Sequence, residues 1–384
     1  MLTWEFPPRI VGGISRHCVG LAEALVRGGH EVCLVTLEFP GAPEQEVVNG
    51  VEVHRTAIRL GHPDFLSWVF LFNHFMEKKV AEIGGRTGFD VIHIHDWLTA
   101  PAGISAKYFT GRPLVATMHS TEVGRSLGLH SPNSFTVDGL EWWATYESKR
   151  VIVTSGSMKD EVFNHFRLPP EKVAVIPNAI DTEKYRVEVD RDRVKRLYGV
   201  DPHERLVLFV GRLIPQKGVE HLIRAAPNIV QRHKEAKIVI VGDGWQRSHL
   251  EGLSRSSGCG WRIRFTGFLP DSELVQLMEV ADVLVVPSVY EPFGIVALEG
   301  MAAGVPVVTS QVGGLAEIVK HDRTGVYVYP GNPDSITWGV DRVLSDPGYS
   351  RWLTHNARDE VQKAYSWEAV AKRTVELYQE VVRR

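Results

Sequence analysis

The 384-residue chain is expected to be an α/β protein made of two domains, each built on a parallel sheet. Three observations lead there. Short apolar runs such as Leu206-Val-Leu-Phe-Val210 and Val283-Leu-Val-Val-Pro287 alternate with helical patterns along the chain. This is the pattern of βαβ units, whose strands are buried on both faces and lose the alternation of a half-solvated strand. The length also exceeds the size at which one core stops growing, which points to two domains of roughly 180 residues. Midway, within residues 178–205, the charged Asp190-Arg-Asp-Arg193 and Lys195-Arg196 mark a solvated connection.

In chain order, Met1-Leu-Thr-Trp4 reads as a short opening strand, so no leader segment is expected before the fold. The loop from Phe6 to Gly13 feeds a helix that stops at Gly28-Gly29, where glycine accommodates a helix terminus. Further strands are expected at 31–36, 91–95, 114–117 and 151–154, and in the second half at 206–210, 237–241, 263–266, 283–287, 305–308 and 326–328. A last helical pattern runs from Trp367 to the end. The aromatic run Phe65, Trp68, Phe70, Phe72 and Phe75 before Lys78-Lys79 reads as a packed helix face, with a membrane-surface helix or a sugar platform as other readings.

Composition narrows the function classes. A formal net charge of −3 offers no electrostatic footprint for nucleic acid. No apolar run reaches membrane-spanning length. The three cysteines, Cys18, Cys33 and Cys259, form no CxxC pair, and core packing in a reducing cytoplasm is the expectation.

The most informative local feature is the acid pair Glu291 and Glu299 in Ser288-Val-Tyr-Glu-Pro-Phe-Gly-Ile-Val-Ala-Leu-Glu299. If a helix starts near Phe293, Glu299 lies inside it and Glu291 sits in the loop at its mouth, so each acid can hold a different end of one ligand. Pro292 and Gly294 shape the turn between them. Backbone N–H groups of Phe293, Gly294 and Ile295, at a helix N-terminus, would face an anion such as a diphosphate. Two solvated surface acids are the other reading. A second constellation follows the strand at 206–210, where Arg212 and Lys217 occupy the loop before a helix near Val219. A planar guanidinium and a compact ammonium could neutralise a departing diphosphate without a metal.

These motifs, with Gly211-Arg-Leu-Ile-Pro-Gln-Lys-Gly218, Val241-Gly-Asp-Gly244, Phe265-Thr-Gly-Phe-Leu269 and Val175-Ile-Pro-Asn-Ala-Ile-Asp181, resemble the retaining glycosyltransferases of family four. The resemblance spans essentially the whole chain in the family's own order. It implies the GT-B fold: two Rossmann-like parallel-sheet domains facing across a cleft, with a C-terminal helix crossing back to the first. On that basis residues 1–185 with 366–384 form the acceptor-side domain and 186–365 the nucleotide-sugar domain. The resemblance also implies transfer of a hexose from a nucleoside-diphosphate sugar with retention at the anomeric carbon, with no metal and no further cofactor.

Roles carry over residue by residue. Arg212 and Lys217 would stabilise the leaving diphosphate, Glu291 the donor sugar and the charge at its anomeric carbon, and Glu299 the ribose. Leu269 and Gly242, Asp243 and Gly244 would border base and phosphates. In the first half, Gly13 would face the donor phosphates and Gly12 the acceptor, because glycine admits close backbone approach and points N–H groups at a ligand. His119, in Ala116-Thr-Met-His-Ser120, matches the family's histidine beside the donor sugar. Asp96, in His93-Ile-His-Asp-Trp97, would contact an acceptor hydroxyl; the metal-like spacing of His93, His95 and Asp96 is assigned to lining, not ligation. That string looks more like the glycogen and starch synthase branch than the lipid-glycosylating one, and favours a sugar or α-glucan acceptor. Sucrose- or trehalose-type synthesis, a lipid-linked acceptor, and a non-catalytic nucleotide-sugar-binding regulatory subunit are the alternatives. Adenine, uridine and guanine donors, and the oligomeric state, are not distinguished by the sequence.

Overall fold

A computed structural model describes residues 1–383. The chain divides into two compact units, one made of Met1–Ala179 with the segment from Trp367, the other of Ile180–Ser366. Arg384, the last residue of the expected C-terminal segment, lies outside the described residues. The division falls earlier than the expected 185/186 boundary for a packing reason. Ile180 and Tyr185 are buried in the core of the second unit, and the Ile180 N–H donates to the Tyr365 carbonyl at 3.1 Å.

The first unit contains β1 (Cys33–Leu37), β2 (Gln45–Val48), β3 (Val51–Thr56), β4 (Ile92–His95), β5 (Leu114–Met118), β6 (Arg150–Val153) and β7 (Val173–Val175). Its strands order as β1-β3-β2 and β4-β5-β6-β7. Leu2 joins the two sets through parallel bridges to Val35 and Ile94. The expected strand Met1–Trp4 is thus reduced to one bridging residue, but that residue occupies the middle of the sheet. All pairings are parallel except β2 with β3, a hairpin in which Val48 faces Val51. Its turn is Asn49-Gly50, both at positive φ (49° and 84°), the backbone that a two-residue hairpin needs to match strand twist.

The helix Phe65–Thr87 buries Val69, Phe72 and Met76, while Phe65 and Phe70 stay exposed. Within its aromatic run Phe72 is thus the fully packed member, with Trp68 and Phe75 partly buried. Among the described residues, no helix is long and apolar enough to cross a membrane. Cys18 and Cys259 are buried and Cys33 is partly buried, all three as free thiols.

The C-terminal helix Trp367–Arg383 packs on the helix Gly13–Arg27 of the same unit. Gly20 permits this contact: a Cβ there would lie 2.1 Å from Trp367 Cε2. Gly20→Ala is therefore expected to lower the thermal midpoint. The displaced indole costs about 1–3 kcal/mol, more than the roughly 1 kcal/mol that alanine gains in helix propensity. An unchanged or raised midpoint in a thermal melt would contradict this packing.

The second unit contains β8 (Arg205–Val210), β9 (Ala236–Val241), β10 (Ile263–Gly267), β11 (Val283–Val286), β12 (Val307–Ser310) and β13 (Val326–Val328). They form one sheet in the order β10-β9-β8-β11-β12-β13, parallel throughout. Both faces are covered: Leu206 and Leu208 enter one buried cluster, Val207 and Phe209 the other. The strand order reverses between β8 and β11. In an open parallel sheet, the loops leaving the carboxyl ends of such neighbours part from each other and leave a crevice for a ligand.

Candidate active site

Arg212 and Lys217 lie on the loop that leaves β8, and Glu291 on the loop that leaves β11, so the crevice of the second unit is flanked by charged side chains on both sides. Lys217 Nζ donates to Glu291 Oε2 at 2.7 Å, and the Ser288 hydroxyl donates to the same oxygen at 3.1 Å. The ion pair is only partly solvated, with the Lys217 and Glu291 side chains 23% and 10% exposed. Arg212 is exposed at the same loop. The helix Ile295–Ala303 begins at Gly294, whose φ of 110° no β-carbon residue adopts readily. Phe293 is buried in the core beneath, and Glu299 is buried inside the helix.

These loops are locked together through backbone atoms. The Gly211 N–H donates to the Val241 carbonyl at 3.0 Å, Leu213 N–H to Asp243 O at 2.8 Å, Gly242 N–H to Gly267 O at 2.8 Å, and Gly314 N–H to Glu291 O at 2.9 Å. A Cβ at Gly242 would sit 1.9 Å from the Gly211 carbonyl oxygen, and one at Gly218 would sit 2.0 Å from that of Pro287. Glycine is required at both because another strand's loop passes where a side chain would start. Asp243 is exposed and pairs with Arg247 at 3.6 Å; Leu269 is half-buried against the core.

In the first unit, β4 ends at His95 and Asp96 follows at a φ of 58°. Asp96 is buried, and its Oδ1 accepts the backbone N–H of His119 at 2.6 Å. Burial lifts its carboxyl to about 6, opposed by the Arg125 guanidinium and the N–H groups of His119 and Ser120. Arg125 is itself held by Glu141 at 2.6 Å and Glu122 at 3.0 Å. His119 follows β5, and its Nε2 lies 3.2 Å from His95 Nδ1. Burial lowers His119 to about 3 and keeps His17, His93 and His95 well below the usual imidazole value, so all four rings are neutral near pH 7.

The glycine loop departs from expectation at one atom. The buried Glu5 carboxylate accepts the N–H groups of Val11 and Gly12 through Oε2, at 2.6 and 2.9 Å. The Gly12 amide is therefore occupied by the protein's own acid and not directed at a ligand. Gly13, exposed, opens the helix.

Comparison with known proteins fits this geometry. Residues 11–184 match the profile described as Glycosyltransferase Family 4, and residues 190–360 that described as Glycosyl transferases group 1. An uncharacterised glycosyltransferase of Methanocaldococcus jannaschii is 49% identical, covering 98% of this chain and 97% of that protein. The chain belongs to glycosyltransferase family 4. Glycogen synthase of Mycobacterium tuberculosis is 34% identical to this glycosyltransferase over 98% of the chain and 93% of the synthase. Among solved structures, sucrose-phosphate synthase from Thermosynechococcus elongatus is 26% identical, with a TM-score of 0.87 over 100% of this chain and 98% of that one. The fold of the glycosyltransferase is accordingly GT-B.

The structure brings together Arg212, Lys217, Glu291, Gly242, Asp243, Gly244, Phe293, Gly294 and Ile295 on adjoining loops of the second unit, and Asp96 with His119 in the first. Sequence reasoning missed Glu5, Ser288, Arg125, Glu141 and Gly313-Gly314. Apart from Ser288, which sits three residues before its partner Glu291, each acts through a partner that no local pattern announces. The signal nearest to legible was the Gly313-Gly314 pair, which packs against the backbone of Glu291 and Phe293.

Proposed function

We propose that this glycosyltransferase moves a hexose, with glucose the first candidate, from a nucleoside-diphosphate sugar to a hydroxyl of a sugar or α-glucan, with retention and without a metal. The observation that carries the reading is the placement of Lys217 and Glu291, 2.7 Å apart, on loops from the two strands that flank the reversal in sheet order. The chemistry needs such a pair: a cation for the diphosphate and a carboxylate for the anomeric carbon.

As the glycosidic bond to the diphosphate breaks, its electrons pass to the leaving oxygen, and Arg212 and Lys217 stabilise that charge. Glu291 holds donor-sugar hydroxyls and stabilises the positive anomeric centre, while Glu299 takes the ribose hydroxyls. The amides of Phe293, Gly294 and Ile295 face the phosphates, and Gly242, Asp243, Gly244 and Leu269 border base and phosphates. The acceptor oxygen attacks from the side of the departing group, and its proton passes to the leaving phosphate oxygen. No side-chain base is required. In the first unit His119 serves the donor sugar, Gly13 the donor phosphates, and Asp96 the acceptor side.

The glycogen synthase relative supports an α-glucan acceptor, and the His93-Ile-His-Asp-Trp97 string points the same way. The likeness to sucrose-phosphate synthase favours a small sugar phosphate as the second reading. Purified protein incubated with adenosine, uridine or guanosine diphosphoglucose, each with maltooligosaccharide or fructose 6-phosphate, is expected to release nucleoside diphosphate with one base and elongate the glucan. The rate should not fall in EDTA. Release only with fructose 6-phosphate selects the second reading. No release or hydrolysis with any donor contradicts the assignment of a catalytic role.

A further inference from the structure

Beside the proposed donor-sugar residue lies a feature that transfer chemistry leaves unexplained. The rings of His17, His95 and His119 converge, with centroids 4.7 to 5.5 Å apart, and one nitrogen from each lies within 4.8 Å of the others. His17 and His95 are almost fully buried. His17 Nε2 makes no hydrogen bond among the described residues. Buried polar atoms of this kind ordinarily find a partner, and each exception calls for a reason.

The tautomer of His17 is set by its surroundings. Its Nδ1 lies 2.6 Å from the amide oxygen of Asn178, which only accepts, so Nδ1 carries the proton and Nε2 keeps a bare lone pair. An outer polar partner that fixes the far nitrogen of an imidazole is the usual support of a metal ligand. His93 is different. Its two nitrogens are engaged by Tyr378 at 2.6 Å and Thr117 at 2.7 Å, which leaves it outside the cluster despite its place two residues from His95.

We propose that His17, His95 and His119 form a site for a borderline transition-metal dication of the zinc class, held by three imidazoles with a fourth position for water. Zinc binds imidazole nitrogen at about 2.0–2.1 Å, which sets tetrahedral ligands roughly 3.4 Å apart. His95 Nδ1 and His119 Nε2 already stand 3.2 Å apart, and ring rotation closes the remainder. Burial keeps the rings in the neutral form that ligates. The metal is an inhibitor, not a cofactor: it occupies the nitrogen with which His119 would serve the donor sugar, a consequence that rests on the functional reading above.

The test is a titration of metal-free protein with Co²⁺, followed by displacement with Zn²⁺, and read alongside transfer activity. One equivalent giving the visible bands of tetrahedral cobalt is expected. His17→Gln should abolish the bands, and Asn178→Ala should weaken affinity by about 10–100-fold, the range for loss of an outer partner. Thermal melts of each variant establish that it is folded. Absence of binding, binding that survives His17→Gln, or binding lost instead in Cys33→Ser, which removes a member of a second cluster, Cys33–Glu52–His54, overturns the site. Inhibition by Zn²⁺ that a chelator reverses supports the regulatory consequence. Binding at the site with undiminished transfer overturns that consequence and the placement of His119 at the sugar, while the site itself stands.

Discussion

Replacing Lys217 with alanine is expected to lower the transfer rate by about two orders of magnitude or more, the scale of losing one oriented charge-stabilising group. Arg212→Ala should lower it too, by a somewhat smaller factor. The leaving diphosphate gains charge as its bond to the sugar breaks, and these two side chains are the cations on the loop that leaves β8 at the reversal of the sheet. Lys217 should be the more sensitive position. Its ammonium also neutralises Glu291, a carboxylate only 10% exposed, and a partly buried charge left without its partner disturbs the surrounding loop. The exposed Arg212 has no such second duty. Steady-state rates at saturating donor and acceptor, with thermal midpoints to establish folding, measure this. Turnover near that of the parent in both folded variants would remove the two cations from the reaction.

Glu291→Gln is expected to reduce kcat by about 100-fold with little change in donor affinity, because its charge matters most once the anomeric centre is positive. Ser288 and Lys217 fix the Glu291 carboxylate, and an amide can retain those contacts only in part. Glu299→Gln is expected to do the opposite, weakening donor binding by about 10-fold with a smaller effect on turnover, as suits the proposed role of holding the ribose in ground and transition states alike. Separate measurement of kcat and of the donor dissociation constant for each variant tests the division. The reverse pattern would mean that the two acids exchange roles.

The second unit was the more legible half because its strands are buried on both faces. Continuous apolar runs such as Leu206-Val-Leu-Phe-Val210 can hardly be anything else at that length, and the observed strands begin and end within two residues of expectation. The first unit hid more. The hairpin of β2 and β3 carried a strong signal in Asn49-Gly50, yet Gln45-Glu-Val-Val48 is short, has no residue fully buried and puts two polar residues before two valines without alternation, so it does not read as part of a core. Met1–Trp4 contributes a single bridging residue, whose place in mid-sheet depends on β1 and β4 arriving from elsewhere in the chain.

At the candidate site, the residues that sequence exposed are those in compact loop motifs after strands: Arg212, Lys217, Glu291, His119. Those it concealed reach their partners through the fold. Glu141 meets Arg125 from sixteen residues away, and Glu5 turns back on Gly12. His17 meets His95 and His119 from three separate elements. The expected Gly12 amide failed for the same reason. A glycine before a helix states that a backbone N–H is available but not which oxygen takes it.

Proton NMR of one reaction can follow hexose transfer with retention from an α-configured nucleoside-diphosphate sugar. Donor of the base selected by the panel is mixed with a maltooligosaccharide and the parent enzyme, and the anomeric signals are recorded through the first turnovers. Nucleoside diphosphate and a new α-glycosidic signal are expected to appear together in equal amounts. A β-glycosidic signal, or free sugar accumulating in place of an extended glucan, would contradict transfer with retention.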